Sequence, residues 1–171
     1  EQISDTSGSI TFSLDDNFVF YSKLDKHHRP RSIYRHKIGS SVKEDELIFE
    51  EKSEAFTVGI NLTSDEKFFI ITTSDHNTSE QYFFEVNEKN PNPKLIKKRK
   101  KGIIYSVNSW DGKFYMHTNE NAEDFKIDYC NDLTNPKWTS YIPAQNEVLI
   151  GSLTFLNNWV LRSEVSNALA K

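Results

Sequence analysis

The chain has 171 residues, enough for one domain with a core of its own, and its formal net charge is −4. This mild negative charge argues against a dedicated nucleic-acid binder, and no apolar run approaches the roughly 20 residues of a membrane-spanning helix. The single cysteine, Cys130, excludes an internal disulfide, which is typical of a reducing, cytoplasmic compartment. The chain shows no signal-peptide pattern, and its start at Glu1 rather than at a methionine suggests a piece of a longer protein.

Short apolar runs alternate with turn residues from one end of the chain to the other. Most runs have the length of a strand, and several alternate apolar with polar residues. The predicted strands form three sets of four: 10–12, 18–21, 32–38 and 46–50; 57–62, 67–72, 81–86 and 94–96; 104–107, 113–117, 125–129 and 138–142. Asp-Asn, Ser-Asp, Asp-Gly and Asn-Pro pairs separate them, which is the chemistry of tight turns.

One phrase recurs four times: a small polar residue, a polar turn, then an aromatic residue that opens an apolar run. The leading aromatics are Phe18, Phe68, Phe114 and Trp159, at spacings of 50, 46 and 45 residues. Four short strands in a repeat of this length are typical of a β-propeller blade. Helical repeats fit badly, because no window of a dozen residues keeps a helical period with caps at both ends.

We therefore predict an all-β fold, a partial β-propeller of about three and a half four-stranded antiparallel blades. The predicted blades are 8–54, 55–102, 103–147 and a partial blade at 148–171. The second strand of each blade is the most apolar, as expected for a strand covered on both faces. Propellers close at about four to eight blades, so an open set leaves an apolar face at each end and favours self-association through the open blade edges.

The chemistry of a catalytic or cofactor site is not evident. The six glycines form neither a Gly-x-Ser-x-Gly nucleophile elbow nor a phosphate-binding loop, so we predict no catalytic residue and no cofactor. His27 and His28 are adjacent and would point apart, which argues against a metal site. The basic run 97–101 is interpreted as a solvated connection between blades rather than a nucleic-acid patch, and Cys130 as a small core residue.

Several strings, in order along nearly the whole chain, resemble the propeller of the oligopeptidase B (protease II) branch of the prolyl oligopeptidase family. They are 29–30, 33–39, 45–51, 74–80, 118–119, 122–127, 138 and 142–143. The resemblance implies a cytoplasmic serine peptidase that cleaves short peptides after Arg or Lys. It also implies a seven-bladed propeller that gates access to a C-terminal α/β-hydrolase domain. Only the middle of the propeller is matched, so none of the family's catalytic residues has a position here.

The best-matching strings supply the candidates for substrate gating or inter-domain contact: Asp75, His76, Ser79, Glu80, Glu123 and Asp124. A structural role is the alternative, with 78–80 fixing a turn through hydroxyl-to-backbone hydrogen bonds. The implied partners are the hydrolase domain and short basic peptides, with neither nucleic acid nor a membrane. The alternative function is a non-catalytic half-propeller that serves as a binding or assembly module, the remnant of a split or truncated gene. The sequence leaves open whether the chain alone is an enzyme.

Overall fold

The structure is a computed structural model that describes residues 3–167 and 169–170. Within these residues the regular structure is β-strand, apart from one short 3₁₀ turn at Val42–Glu44. No helix in the described part of the chain is long and apolar enough to cross a bilayer. The predicted all-β class is confirmed.

The strands form four separate antiparallel sheets, each a meander of strands that are consecutive in the chain. The first sheet contains β1 (Thr6–Phe12), β2 (Phe18–Leu24), β3 (Pro30–Lys37) and β4 (Glu46–Glu50). The second contains β5 (Thr57–Leu62), β6 (Phe68–Ser74), β7 (Ser79–Glu85) and β8 (Lys94–Lys97). The third contains β9 (Tyr105–Trp110), β10 (Lys113–Thr118), β11 (Lys126–Cys130) and β12 (Thr139–Ile142).

The fourth sheet has three strands, β13 (Val148–Phe155), β14 (Val160–Ser166) and β15 (Leu169–Ala170). The four sheets do not close into a ring, so the architecture is the predicted open, partial propeller. Each sheet packs on the next one along the chain, and three hydrophobic clusters fill the spaces between successive sheets.

The recurrent phrase forms the hairpin between the first two strands of a sheet. In the first sheet the Ser13 hydroxyl accepts the amide N–H of Phe18 at 3.0 Å, and in the second Thr63 accepts that of Phe68 at 3.1 Å. The third sheet has a shorter turn, in which Asp111 and Gly112 have φ values of 49° and 70°. Two successive positive φ values are those of a type I′ turn, which an Asp-Gly pair favours.

Aromatic side chains of the second strands hold successive sheets together. The Phe20 ring of the first sheet lies 4.6 Å from Phe69 of the second, and Phe68 lies 5.1 Å from Phe114 of the third, between ring centroids. β6 is buried on both faces because a sheet covers it on each side. In β14 half-buried residues alternate with exposed ones, because the part of the chain that the structure describes has no sheet beyond the fourth.

The outermost sheets expose apolar side chains, as expected for an open stack. In the first sheet Ile10 and Phe12 are 54% and 47% exposed, and in the fourth Leu161 is 55% exposed. The interior sheets bury apolar side chains of the same kind: Phe69 and Ile71 are 1% and 0% exposed. The two end surfaces of the stack are therefore apolar, like the surfaces that are buried between its sheets.

We expect Phe69→Ala to lower the free energy of unfolding by about 3–5 kcal/mol, because the ring fills the space between two sheets and leaves a cavity when removed. Urea denaturation followed by tryptophan fluorescence measures this change. The control is Trp159→Ala, an aromatic that is 71% exposed, for which we expect a change within about 0.5 kcal/mol. Equal effects of the two substitutions would contradict the role of the inter-sheet aromatics.

Candidate functional site

All six candidate residues lie at one edge of the stack, where the β6–β7 hairpin and the β10–β11 connection are found together with the crossover from β8 to β9. Hydrogen bonds join these segments. The Gly102 amide donates to the Thr78 hydroxyl at 3.2 Å, and the Asn119 side chain donates to the Gly102 carbonyl at 3.0 Å. The structure thus brings the candidates to a common edge, but it gives them different environments.

Asp75 and His76 form the tip of the β6–β7 hairpin, and both are exposed. One carboxylate oxygen of Asp75 accepts the amide N–H groups of Asn77 at 2.9 Å and Thr78 at 2.8 Å. These bonds are those of an Asx turn, which fixes the hairpin. The Asp75 carboxylate therefore has a structural task, whereas the His76 side chain is open to solvent.

Ser79 is buried between the second and third sheets. Its hydroxyl donates to the carbonyl of Tyr105 at 2.8 Å and accepts the amide N–H of the same residue at 2.7 Å. Gln81, two residues along β7, accepts the amide N–H of Val107 at 2.7 Å. These side chains join two sheets whose strands do not pair with each other, and the Ser79 hydroxyl both donates and accepts a hydrogen bond in doing so.

Glu123 and Asp124 lie in the connection from β10 to β11. Glu123 is exposed and Asp124 is half-buried. The backbone carbonyl of Asp124 accepts the amide N–H of Ile150 at 2.9 Å and so links this connection to the fourth sheet. Among the six candidates, His76 and Glu123 are thus exposed with side chains that carry no such structural bond.

Glu80 belongs to a buried ionic cluster with Arg99 and Glu51. One Glu80 oxygen accepts Nε and Nη2 of Arg99 at 3.1 and 2.8 Å, and the other accepts the Arg99 amide at 2.7 Å. Arg99 Nη2 also donates to Glu51 at 2.6 Å, and the Arg99 guanidinium lies 4.1 Å from the centroid of the Phe56 ring. Tyr82 donates its hydroxyl to Glu80 at 2.7 Å. Glu51 and Glu80 are only 4% and 5% exposed.

The electrostatics of this cluster favour its charged form. Burial by itself raises the pKa of Glu80, but the hydrogen bonds from Arg99 and Tyr82 outweigh it and leave the pKa below its ordinary value. Burial, together with the Glu80 carboxylate, raises the pKa of Tyr82 to about 12. Both Glu80 oxygens already accept strong donors, so the cluster suits a structural clamp rather than proton transfer.

The clamp fixes the segment 51–56, through which the chain crosses from the first sheet to the second. Arg29 donates to the carbonyls of Glu54 at 2.7 Å and Ala55 at 3.1 Å, and Arg31 donates to the carbonyl of Ser53. The guanidinium groups of Arg29 and Arg31, at the start of β3, therefore satisfy carbonyls of the crossover that would otherwise need water.

The basic run 97–101 proves to be only partly a solvated connection. Lys98, Lys100 and Lys101 are exposed, but Lys97 pairs with Glu120 and Arg99 enters the clamp. Sequence reasoning missed Glu51, Phe56, Tyr82 and Arg99. The sequence did offer one signal for Arg99, which is the only arginine among the lysines of the run 97–101. Arginine is the cation preferred for buried, multidentate pairing.

In the described part of the chain, no group of three or more His, Cys, Asp or Glu side chains is placed to hold a metal ion. Cys130 is 2% exposed and packs in the cluster between the second and third sheets, as predicted for a small core residue. Burial raises the pKa of its thiol to about 11, which keeps it in the unreactive protonated form at neutral pH.

We expect Arg99→Gln to lower the free energy of unfolding by about 3 kcal/mol, because it leaves two buried carboxylates without their cation. Chemical denaturation measures the change. The matched control is Lys98→Gln, one position away on the exposed face, with an expected change within about 0.5 kcal/mol. A loss no greater than that of the control would contradict the clamp.

The lowered pKa of Glu80 makes stability depend on pH. Below the ordinary pKa of 4.5 the unfolded chain binds a proton that folded Glu80 does not, so the stability contributed by this group is lost as the pH falls through its folded-state pKa. In urea titrations between about pH 7 and pH 3, Glu80→Gln should therefore lose less stability on acidification than the wild type. Glu123→Gln, at an exposed position, should keep the wild-type slope. Parallel curves for wild type and Glu80→Gln would refute the assignment.

Comparisons with known proteins agree with this architecture. The sequence matches, over residues 1–171, the family described as "Prolyl oligopeptidase, N-terminal beta-propeller domain". It is 35% identical over 130 residues to Protease 2 of Moraxella lacunata, an alignment that covers 75% of this chain and 19% of that protein.

Solved structures show the same fold. Oligopeptidase B from Trypanosoma brucei, in a closed form with covalently bound antipain, superposes with a TM-score of 0.93 at 23% identity, over 99% of this chain and 25% of that one. Oligopeptidase B from Leishmania major gives 0.87 at 20% identity, with the same coverage of both chains. The chain thus spans about a fifth to a quarter of the length of these proteins. It belongs to the prolyl oligopeptidase N-terminal β-propeller family.

Proposed function

We propose that the chain is a propeller segment of an oligopeptidase B-like serine endopeptidase that cleaves short peptides after Arg or Lys. The observation that carries this proposal is the match to the family's propeller domain over the whole chain, together with 35% identity to Protease 2. The chain itself forms part of the propeller wall that limits access of peptides to the active site, and an α/β-hydrolase domain supplies the catalytic residues. A cytoplasmic location is part of the proposal and is supported by the single, buried cysteine.

The open ends of the stack support a role within a larger propeller. Ile10 and Phe12 on the first sheet and Leu161 on the fourth are about half exposed, whereas the apolar side chains between the interior sheets are buried. Further sheets of the same kind would bury these faces, since a propeller closes only when every blade is covered on both sides.

The edge that carries the candidate residues is the proposed contact with the catalytic domain or with substrate. His76 and Glu123 are exposed there and have side chains free for such contacts. Ser79 and Glu80 support the same role indirectly. Ser79 holds β7 against the neighbouring sheet, and Glu80 binds Arg99, which in turn bonds Glu51 of the crossover. A rigid wall suits gating, in which only small and flexible peptides pass.

The test is to capture the protein from its native source with an antibody raised against this chain. We expect the captured protein to hydrolyse arginyl- and lysyl-amide reporters but not a leucyl-amide reporter, and to lose this activity with a serine-directed fluorophosphonate. The recombinant chain of 171 residues should show no turnover, because it lacks a nucleophile elbow.

Two results would overturn the proposal. One is fluorophosphonate-sensitive turnover by the recombinant chain itself, which would place the catalytic site within these residues. The other is a captured protein without a reactive serine whose mass rises with concentration in light scattering. That result would favour the alternative, an assembly module that pairs through its exposed apolar end faces.

A further inference from the structure

A cleft of about 410 Å³ lies at the edge of the stack opposite the clamp, where hairpins of the second, third and fourth sheets come together. The residues that line it lie at the turns of these hairpins: Ser64, Asp65, Trp110, Asp111, Phe155, Leu156 and Asn157. A volume of this size is within the range of small-molecule sites, which combine apolar walls with a few polar groups. Here aromatic rings and carboxylates border the same space.

The aromatic wall of the cleft is held in place by contacts between the third and fourth sheets. Trp110 donates its indole Nε1–H to the carbonyl of Leu156 at 2.7 Å. The Trp110 ring centroid lies 5.8 Å from that of Phe155, and the residue is half-buried. The indole is therefore fixed on one side and open to the cleft on another. Of the aromatic side chains, tryptophan attracts cations most strongly over its ring face.

Asp111 supplies a free carboxylate beside this wall. It is exposed, and its side chain forms no hydrogen bond or ion pair with any residue that the structure describes. Burial is the largest cause of a raised pKa at Tyr115, and the negative charge of Asp111 adds to the increase. The Tyr115 ring lies 6.2 Å from that of Trp110, between centroids. The Asp111 charge therefore acts on the same aromatic group that borders the cleft.

Asp65 of the second sheet is a further anion in the lining. Its Oδ2 accepts the Ser109 hydroxyl at 2.7 Å, and its Oδ1 accepts the Thr63 hydroxyl at 2.8 Å. Both donors are neutral, so they orient the carboxylate without cancelling its charge. Lys67 Nζ lies 3.9 Å from Oδ2 on a side chain that is 62% exposed, and such a pair is weak.

The cleft has an excess of negative charge. Among the residues that the structure describes, none with a cationic side chain lines it. Lys113, in the hairpin of the third sheet, has its Nζ 5.6 Å from the centroid of the Tyr129 ring on β11. Over the three turns at 63–67, 109–113 and 156–159, carboxylates outnumber lysines: Asp65, Glu66 and Asp111 against Lys67 and Lys113. A bound cation would therefore find both a free carboxylate and an aromatic face.

We propose that this cleft binds the guanidinium group of an arginine side chain, which stacks on the Trp110 indole and pairs with the Asp111 carboxylate. A guanidinium is planar, stacks on aromatic faces and bonds a carboxylate through parallel N–H groups, so it uses both features of the cleft. A metal ion would need several oxygen ligands and would gain nothing from the aromatic wall. The inference does not rest on the proposed peptidase function, because binding to this chain is measured without turnover.

Chemical-shift mapping of the purified chain, on backbone amides and on the Trp110 indole N–H, tests the site with three probes. They are the N-acetyl amides of arginine, citrulline and lysine. Citrulline has nearly the shape of arginine but no charge, so we expect the arginine probe to bind at least about fivefold more tightly. The lysine probe should bind more weakly than the arginine probe, because an ammonium group cannot stack. The shifts should centre on residues that line the cleft.

Variants of the lining separate the charge from the aromatic contact. Asp111→Asn should weaken binding of the arginine probe about two- to fivefold and leave the citrulline probe unchanged. The matched control is Asp16→Asn, which should change neither, because Asp16 is an exposed aspartate at positive φ in the corresponding hairpin of the first sheet. Trp110→Leu should weaken binding of the arginine probe about threefold or more. If that variant fails to fold, the Asp111 and Asp16 variants still decide.

Four results would overturn the proposal. They are equal affinity for the arginine and citrulline probes, lysine binding as tight as arginine binding, equal effects of Asp111→Asn and Asp16→Asn, and no shift at about 10 mM arginine probe, which is tenfold above a millimolar Kd. Shifts confined to residues outside the cleft would also contradict it.

Discussion

The fold depends on the burial of one sheet face against the next. A four-stranded sheet with apolar side chains on both faces cannot cover itself, so each sheet is stable only because a neighbour covers it. The Phe69 ring illustrates this dependence, since it packs on Phe20 of the preceding sheet and on Phe84 of its own. Stability is therefore shared between neighbours, and the outermost sheets are each covered on one side only.

Apolar burial brings the sheets together without specifying their alignment, and polar contacts at the sheet boundaries supply that alignment. The Ser79 hydroxyl bonds both backbone groups of Tyr105, and Asp65 in the hairpin of the second sheet accepts the Ser109 hydroxyl of the third at 2.7 Å. Such bonds are directional and must be fully satisfied when buried, so they select one relative position of two sheets. The Glu51–Arg99–Glu80 clamp does the same for the first crossover.

These contacts bear on function through rigidity. Residues in the strings that match the peptidase family are divided between buried positions such as Ser79 and Glu80 and exposed positions such as His76 and Glu123. The buried residues fix the positions of neighbouring sheets, and the exposed residues are available for contact with another domain or a ligand.

The spacing of aromatic-led phrases was sufficient to predict the class of fold, the four-strand repeat and the incomplete stack, because strand period and turn chemistry are local properties of the chain. The same reasoning predicted the hairpins, since the hydroxyls of Ser13 and Thr63 accept backbone amides that lie only a few residues further along the chain. It could not find the clamp, in which Glu51 and Arg99 are 48 residues apart. Nor could it distinguish Arg99 from the solvated lysines beside it. Those features arise only when two sheets meet, because burial and partner geometry are properties of the packed structure and not of any single strand.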